Sequence, residues 1–200
     1  MALAMVDGVR ADVAALQARF GDQVRSVSEK FGETYVCVER SAIREVMEFL
    51  RDDEALQYDY FVECLGADYS AWEHPRDLTE RFEVIYNLYA TRHLARLFLK
   101  VGVNDGDTVP SVKSVFLGAE YPEREVNDLF GIVFAGNEQV QRFLLPDDWK
   151  GFPLRKDFPL GGEDVLFDGG DRGPAVEDLM VPHAGESFGG KTGSQDVSGR

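Results

Sequence analysis

The segment from Tyr121 to Leu160 constrains this chain most. It begins with a helical period and then abandons every period while staying oily. Pro146, Pro153 and Pro159 forbid a continuous helix, because proline lacks the N–H and its ring clashes with the preceding turn. Gly136, Gly151, Gly161 and Gly162 punctuate the stretch further. Yet Phe143, Leu144, Leu145, Trp149, Phe152, Leu154, Phe158 and Leu160 are large and apolar, and a solvated linker would not carry so many. Composition leaves two outcomes open. Part of the stretch folds back on its own core, or the stretch spreads over another polypeptide. The second is the sharper expectation.

At its start the segment predicts a compact helix over 122–130. Pro122 suits the first helical position, where its missing N–H costs nothing. Glu123 and Glu125 lie in the first turn, where the helix dipole favours anions. Val126, Leu129 and Phe130 form an apolar stripe, and Gly131 fits the position just past the end. Arg124 stands four residues before Asp128, a spacing that predicts a helical ion pair.

Upstream, Val9, Val13, Leu16 and Phe20 share one helical face and predict an amphipathic helix over 8–20. Gln23–Phe31 and Glu33–Glu39 predict the strands of a hairpin around Gly32. Ser41 is a candidate N-cap for a second amphipathic helix over 42–52, marked by Ile43, Val46, Met47 and Leu50. Tyr58–Leu65 reads as a central strand, 71–79 as a loop, and Arg81–Thr91 and His93–Val103 as two more strands. Ser111 is a candidate cap for a short helix over 112–116. This order predicts an α+β fold: a mostly antiparallel sheet with two amphipathic helices on one face, followed by an extended irregular C-terminal arm. The expected division is a core domain over 1–135, a partner-docking arm over 136–160 and a flexible Gly-rich acidic tail over 161–200. That tail holds half of the chain's 20 glycines.

The net charge of −15 disfavours nucleic acid and anionic lipid as partners and suits a basic protein surface. No run approaches the roughly 18 apolar residues of a membrane span. The first residues carry charges within their apolar pattern and make a poor secretory signal, so a cytoplasmic protein is the default. Cys37 and Cys64 each sit inside an apolar segment and read as buried free thiols. Two cysteines and the scattered His74, His93 and His183 give no metal-ligand spacing.

Glu123, Glu125 and Asp128 are the one dense carboxylate group near a defined helix. Paired carboxylates do acid–base work when burial separates their pKa values. Here the ion pair and the helix start offer them a structural or interface role instead. Arg155-Lys156 lies among Trp149, Phe152 and Phe158, and aromatic side chains with arginine are the usual anchors of interfaces. Phosphate-binding glycine loops, nucleophile elbows and zinc-protease motifs are all missing from the sequence. From the residues alone the chain is an α+β domain with an interaction arm, and no catalytic residue is assigned.

Two motifs then carry a resemblance. Glu123-Arg124-Glu125-Val126-Asn127-Asp128-Leu129-Phe130-Gly131 resembles the E-R-E-x-x-D-[LM]-[FY]-G signature of the C-type, or 30-kDa, subunit family of NADH-quinone oxidoreductase, respiratory complex I. The run from Arg142 to Pro159 resembles that family's R-x-L-x-P-x-x-[WF]-x-G-x-P-L-R-K-D-[FY]-P stretch. The similarity covers residues 24–160. Asn137-Glu138 stand where a His-Pro pair often occurs in the family.

The resemblance implies a non-catalytic component of the peripheral arm, on the cytoplasmic face of the inner membrane and attached to it only through the complex. It implies no cofactor in this chain, since FMN, iron–sulfur clusters and quinone belong to other subunits. It implies docking on the D-type, 49-kDa subunit of complex I, near the B-type subunit and other peripheral-arm subunits. The expected partner-binding residues are Glu123, Arg124, Glu125, Asp128, Phe130, Gly131, Trp149, Phe152, Pro153, Leu154, Arg155, Lys156 and Phe158. Two alternatives remain: the equivalent subunit of a membrane-bound hydrogenase or of another quinone or methanophenazine oxidoreductase, and a stand-alone enzyme using Glu123, Glu125 and Asp128.

Overall fold

A five-stranded sheet runs through the middle of the chain, and its irregular C-terminal neighbour is anchored to one helix beside it. The computed structural model describes Leu3, Met5–Val6 and residues 8–138 and 141–159. The described residues up to Phe158 belong to one compact unit. The tail expected over 161–200 lies outside the described residues.

β1 (Met5–Val6) and β2 (Val9–Arg10) pair antiparallel around Gly8, whose φ is 81°. α1 (Ala11–Phe20) follows directly. This small ladder takes residues that the apolar period assigned to the helix, so Val9 lies outside α1 and is exposed. Asp12 is fully buried in the first turn of α1. It accepts hydrogen bonds from Arg10 at 2.7 Å and from the Tyr58 hydroxyl at 2.5 Å, so the buried charge is paired.

β3 (Val24–Lys30) and β4 (Glu33–Val38) make the expected hairpin. Phe31 and Gly32 both have positive φ, at 56° and 80°, the turn geometry whose twist matches that of the flanking strands. α2 (Ile43–Asp52) buries Ile43, Val46, Met47 and Leu50 completely, as the spacing requires. Ser41 is not its cap. It lies in a short 3-10 turn over Arg40–Ala42, and α2 begins from Ala42 without a side-chain cap.

β5 (Tyr60–Asp68), β6 (Phe82–Ala90) and β7 (Ala95–Val103) complete the sheet in the order β3-β4-β7-β6-β5. Within this sheet only β4 and β7 pair parallel; α2 carries the chain from β4 to β5 at the far edge, and β6 and β7 return antiparallel. The sheet is therefore mostly antiparallel, as expected. The expectation of a central strand at Tyr58–Leu65 is corrected: β5 is an edge strand. Its apolar run suggested burial on both faces, yet Tyr60, Val62 and Leu65 are exposed. A register shift between Phe61 and Glu63 breaks the alternation that would have marked an edge.

β8 (Thr108–Pro110) and β9 (Val133–Ala135) pair parallel, with α3 (Glu120–Phe130) between them in sequence. The helix expected over 112–116 is a single turn. Val112 O accepts the Val115 and Phe116 N–H groups, and Ser111 Oγ accepts the Lys113 N–H. α3 packs on the same sheet face as the core. Gly66 is paired with Val84, and a Cβ on Gly66 would meet the Phe130 ring at 2.6 Å. Val84, Tyr86, Leu97, Leu99 and the buried sides of α1 and α2 belong to that one core cluster. The opposite face carries the stacked Tyr35–Phe98 pair and Glu83, which binds Arg76 and Lys100 at 3.0 Å each.

Candidate docking site

α3 is the element from which the site is built. It starts at Glu120, so Pro122 is its third residue, where a backbone N–H still has no intrahelical partner. It ends at Gly131 in the left-handed conformation, φ 76° and ψ 20°, with the Gly131 N–H donating to Asn127 O at 2.7 Å. Glycine is required there twice over. The positive φ disfavours any Cβ, and a Cβ would lie 2.5 Å from Phe152 and 2.8 Å from Arg155 Nη2.

Glu123 is fully buried. Its carboxylate accepts from Ser111 Oγ at 2.6 Å, Val112 N at 2.8 Å and Asn137 Nδ2 at 2.9 Å. The chain on either side of the β8–β9 pair is thus tied to α3 by one side chain. Burial pushes the Glu123 carboxyl up, outweighing the three donors and the more distant Lys113. Asn137 is a residue that sequence reading did not select. It holds both Glu123 and Glu120 O, where the family often has a His-Pro pair.

Asp128 is buried on a different side of α3. Its Oδ2 accepts the successive N–H groups of Phe143, Leu144 and Leu145 at 3.2, 2.7 and 2.9 Å, and Arg142 meets its Oδ1 at 3.0 Å. Burial alone would raise its pKa, but the donors at Leu145, Leu144, Arg142 and Phe143 hold the carboxyl below the usual range. The expected Arg124–Asp128 pair is corrected. The ion-pair partner of Asp128 is Arg142, while Arg124 turns over the Tyr121 and Phe143 rings at 5.9 and 5.4 Å. A helical i, i+4 contact yields here because Arg142 brings three backbone donors with it.

Arg142 does more than pair. It also donates to Trp149 O at 3.1 Å and Gly151 O at 3.2 Å, closing the loop 142–151 on itself, and its guanidinium lies 5.3 Å from the Phe152 ring centre. Arg155 sits 4.7 Å from the Phe152 ring centre and 5.1 Å from that of Phe82. Its Nε donates to Phe130 O at 2.6 Å, which satisfies an end carbonyl of α3, and its Nη2 pairs with Asp105 at 3.0 Å. Trp149 stacks on Phe158, and Leu154 N donates to Leu129 O. Asp68, at the end of β5, accepts the Lys156 N–H at 2.9 Å and pairs with Arg81, which also holds Asp157. Burial opposes ionisation of Asp68, but Arg81 and the Lys156 and Ser70 N–H groups outweigh it and hold the carboxyl far below its ordinary value.

The described part of the arm is therefore irregular in backbone but fixed in place against α3. Of the residues selected from sequence, Glu123, Asp128, Phe130 and Gly131 join α3 to its own chain. Phe152, Trp149, Phe158 and Arg155 shape the arm. Glu125, Leu154 and Lys156 are exposed, and Arg124 and Pro153 are half-buried. Glu123, Glu125 and Asp128 do not converge. Relative to Glu123 they lie about 200° and 140° round the helix, and Glu123 and Asp128 are each saturated by separate donors. Such saturated carboxylates offer no open position for a substrate proton. Cys37 and Cys64 are free and buried, and among the described residues no group of His, Cys, Asp and Glu could hold a metal. No helix among them is long and apolar enough to cross a membrane.

The fold and this clamp define an α+β domain whose irregular C-terminal segment is fixed against one of its own helices. Comparison with known proteins supplies the family. Residues 36–164 match the model of the respiratory-chain NADH dehydrogenase 30 Kd subunit family. The chain is 45% identical over 158 residues to the C-type subunit of NADH-quinone oxidoreductase from Roseiflexus castenholzii, an alignment covering 78% of this chain and 86% of that protein. Among solved structures, a trypsin-resistant fragment (1–134) of Nqo5 aligns with TM-score 0.55 and 28% identity, over 63% of this chain and 96% of the fragment. A chain of an archaeal membrane-bound sulfane sulfur reductase aligns with TM-score 0.59 at 20% identity, over 74% of this chain and 85% of that one, which shows the shared fold alone. The chain belongs to the 30-kDa subunit family of the respiratory-chain NADH dehydrogenase. It is a component of that oxidoreductase; the catalyst is the complex.

Proposed function

We propose that this chain is a docking subunit of the peripheral arm of NADH-quinone oxidoreductase, seated on the 49-kDa-type subunit close to the B-type one, on the cytoplasmic side of the membrane. In this reading FMN, iron–sulfur clusters and quinone are held by other subunits, and the chain supports electron transfer by keeping its neighbours in place. Membership of the 30-kDa family supports it, and so does the double clamp of Asp128 and Arg155 on the arm. A loop fixed before binding loses little conformational entropy when a partner arrives. Arg124, Glu125, Pro153, Leu154 and Lys156 offer side chains outward for direct contact. Glu123, Asp128, Phe130, Gly131, Trp149, Phe152, Arg155 and Phe158 act by giving that surface its shape.

Affinity purification of the tagged chain from solubilised membranes, with companions identified by mass, tests the reading. The 49-kDa-type and B-type subunits are the expected companions. Trp149→Ala and Arg155→Ala are expected to weaken their recovery by about 2 kcal/mol or more, the range of an interface hot spot. Recovery without the 49-kDa-type subunit, or normal recovery with both variants, overturns the proposed site.

A further inference from the structure

The proline-rich half of the arm is turned in against α3, while the arm's first turn presents a separate surface. The Tyr121 and Phe143 rings lie 5.5 Å apart, and the Arg124 guanidinium lies over both. Leu144, beside Phe143, is 56% exposed, and Leu117, one turn ahead of Tyr121, is 81% exposed. Large apolar side chains also stand out at Phe31 and Leu94, but each of those sits singly on a strand-to-strand turn. Here Tyr121 and Phe143 are in ring contact, and exposed Leu117 and Leu144 adjoin them along the chain; an apolar group of this kind marks a contact site where a single exposed side chain does not.

The backbone under this group is fixed. Tyr121 is carried on α3, and Leu117 on the 3-10 turn that runs into it. Phe143 and Leu144 are held by Asp128, which accepts both of their N–H groups. Glu125 follows one turn after Tyr121, and Asp147 and Asp148 lie within the loop that Arg142 closes, just after the N–H groups held by Asp128. All three carboxylates are exposed, and none has an ion pair among the described residues. They add to a surface whose net charge is −15.

We infer that Leu117, Tyr121, Phe143 and Leu144 form a preorganised knob that seats in an apolar pocket rimmed by lysine and arginine on a neighbouring subunit of the same oxidoreductase. This rests on the docking-subunit reading and adds to it a surface and the chemistry of its partner. Seating removes four large side chains from water, and the pocket's cations pair carboxylates that now face solvent.

The test uses the full chain in its own membranes. The double variant Leu117→Asp, Leu144→Asp is expected to lower recovery of companion subunits at least about tenfold, as loss of central anchors does. Both positions are exposed, so the melting temperature of the purified chain should stay that of wild type. Phe31→Asn and Leu94→Asn, on exposed turns elsewhere, should leave recovery unchanged. Zero-length carbodiimide coupling of the wild-type complex needs no variant at all, and is expected to join Glu125, Asp147 or Asp148 to lysines of a companion subunit. Undiminished recovery with the double variant, coupling only to a second copy of this chain, or no coupling from these carboxylates overturns the knob. A wild-type chain that brings down no companion overturns the docking-subunit reading itself.

Discussion

Arg142 Nη1 lies 3.0 Å from Asp128 Oδ1 and 3.1 Å from Asp128 O, so one guanidinium grips both the side chain and the backbone of the same helical residue. The carboxylate's other oxygen gathers the three N–H groups that follow Arg142. This contact turns a proline-broken run into a loop of fixed shape.

Asp128→Ala removes the acceptor from Phe143, Leu144 and Leu145 and leaves Arg142 half-buried without its carboxylate. The chain is expected to lose about 2 kcal/mol in urea unfolding, because donors are left unpaired at a partly covered site. The Leu144 and Leu145 amides should exchange with solvent at least about tenfold faster, since local opening is now easier. Unchanged protection at those two amides would show that the clamp does not hold the loop.

Two classes of carboxylate give opposite pH dependence. Asp128 and Asp68 release their protons more easily in the folded chain. The stability they add is complete above about pH 4, the unfolded carboxylate range, and is lost as pH falls toward their depressed native values. Glu123 is raised, so the folded chain holds its proton more tightly than the unfolded one. Its contribution declines as pH rises from about 4.3 through its native value and is level beyond. Urea midpoints between pH 3 and 7 check both signs. Asp128→Asn should shrink the acid-side loss, and Glu123→Gln should flatten the decline above it while lowering the whole curve, because Asn137 loses its acceptor.

Gly131→Ala and Gly106→Ala make a matched pair. Both glycines have positive φ, at 76° and 84°. A Cβ at Gly106 meets nothing within 4 Å, whereas at Gly131 it strikes Phe152. Gly106→Ala should cost about 1 kcal/mol, the left-handed penalty alone. Gly131→Ala should cost clearly more, because the Phe152 ring and Arg155 must give way. Equal melting-temperature losses would mean that the arm is not packed on the end of α3.

Arg155→Lys keeps the charge and loses the planar fork. Lysine cannot bond Phe130 O and Asp105 together while keeping its charge close to both the Phe82 and Phe152 rings. A loss of about 1–2 kcal/mol is expected in thermal or urea unfolding. Full stability would mean that charge alone sustains the site.

Much of the fold was legible in the sequence. Ile43, Val46, Met47 and Leu50 marked α2 because the helical period places all four on one buried face. The Gly32 turn and the alternation of β6 fixed the strands around them. Edges were less legible. β5 reads as a continuous apolar run because Phe61 faces the core while its neighbours Tyr60 and Val62 stay in water, and a bulge disguises the alternation. α1 begins late because backbone pairing at β1–β2 outweighs the side-chain period.

The site divides in the same way. Sequence by itself marked some of the residues around α3, since the signature acids, the Gly131 stop and the Arg155 motif are visible as types at a spacing, while Asn137 and Arg142 went unselected. Only tertiary structure decided what each one touches. Asp128 could pair with Arg124 at one helical turn, and local spacing favours that. It pairs with Arg142 because the chain returns after β9 with three aligned N–H groups, a set of donors no single side chain can match. Local periods record which face of an element is oily; they do not record which distant segment comes back to it, and that return is set by the packing of the whole sheet and its helices.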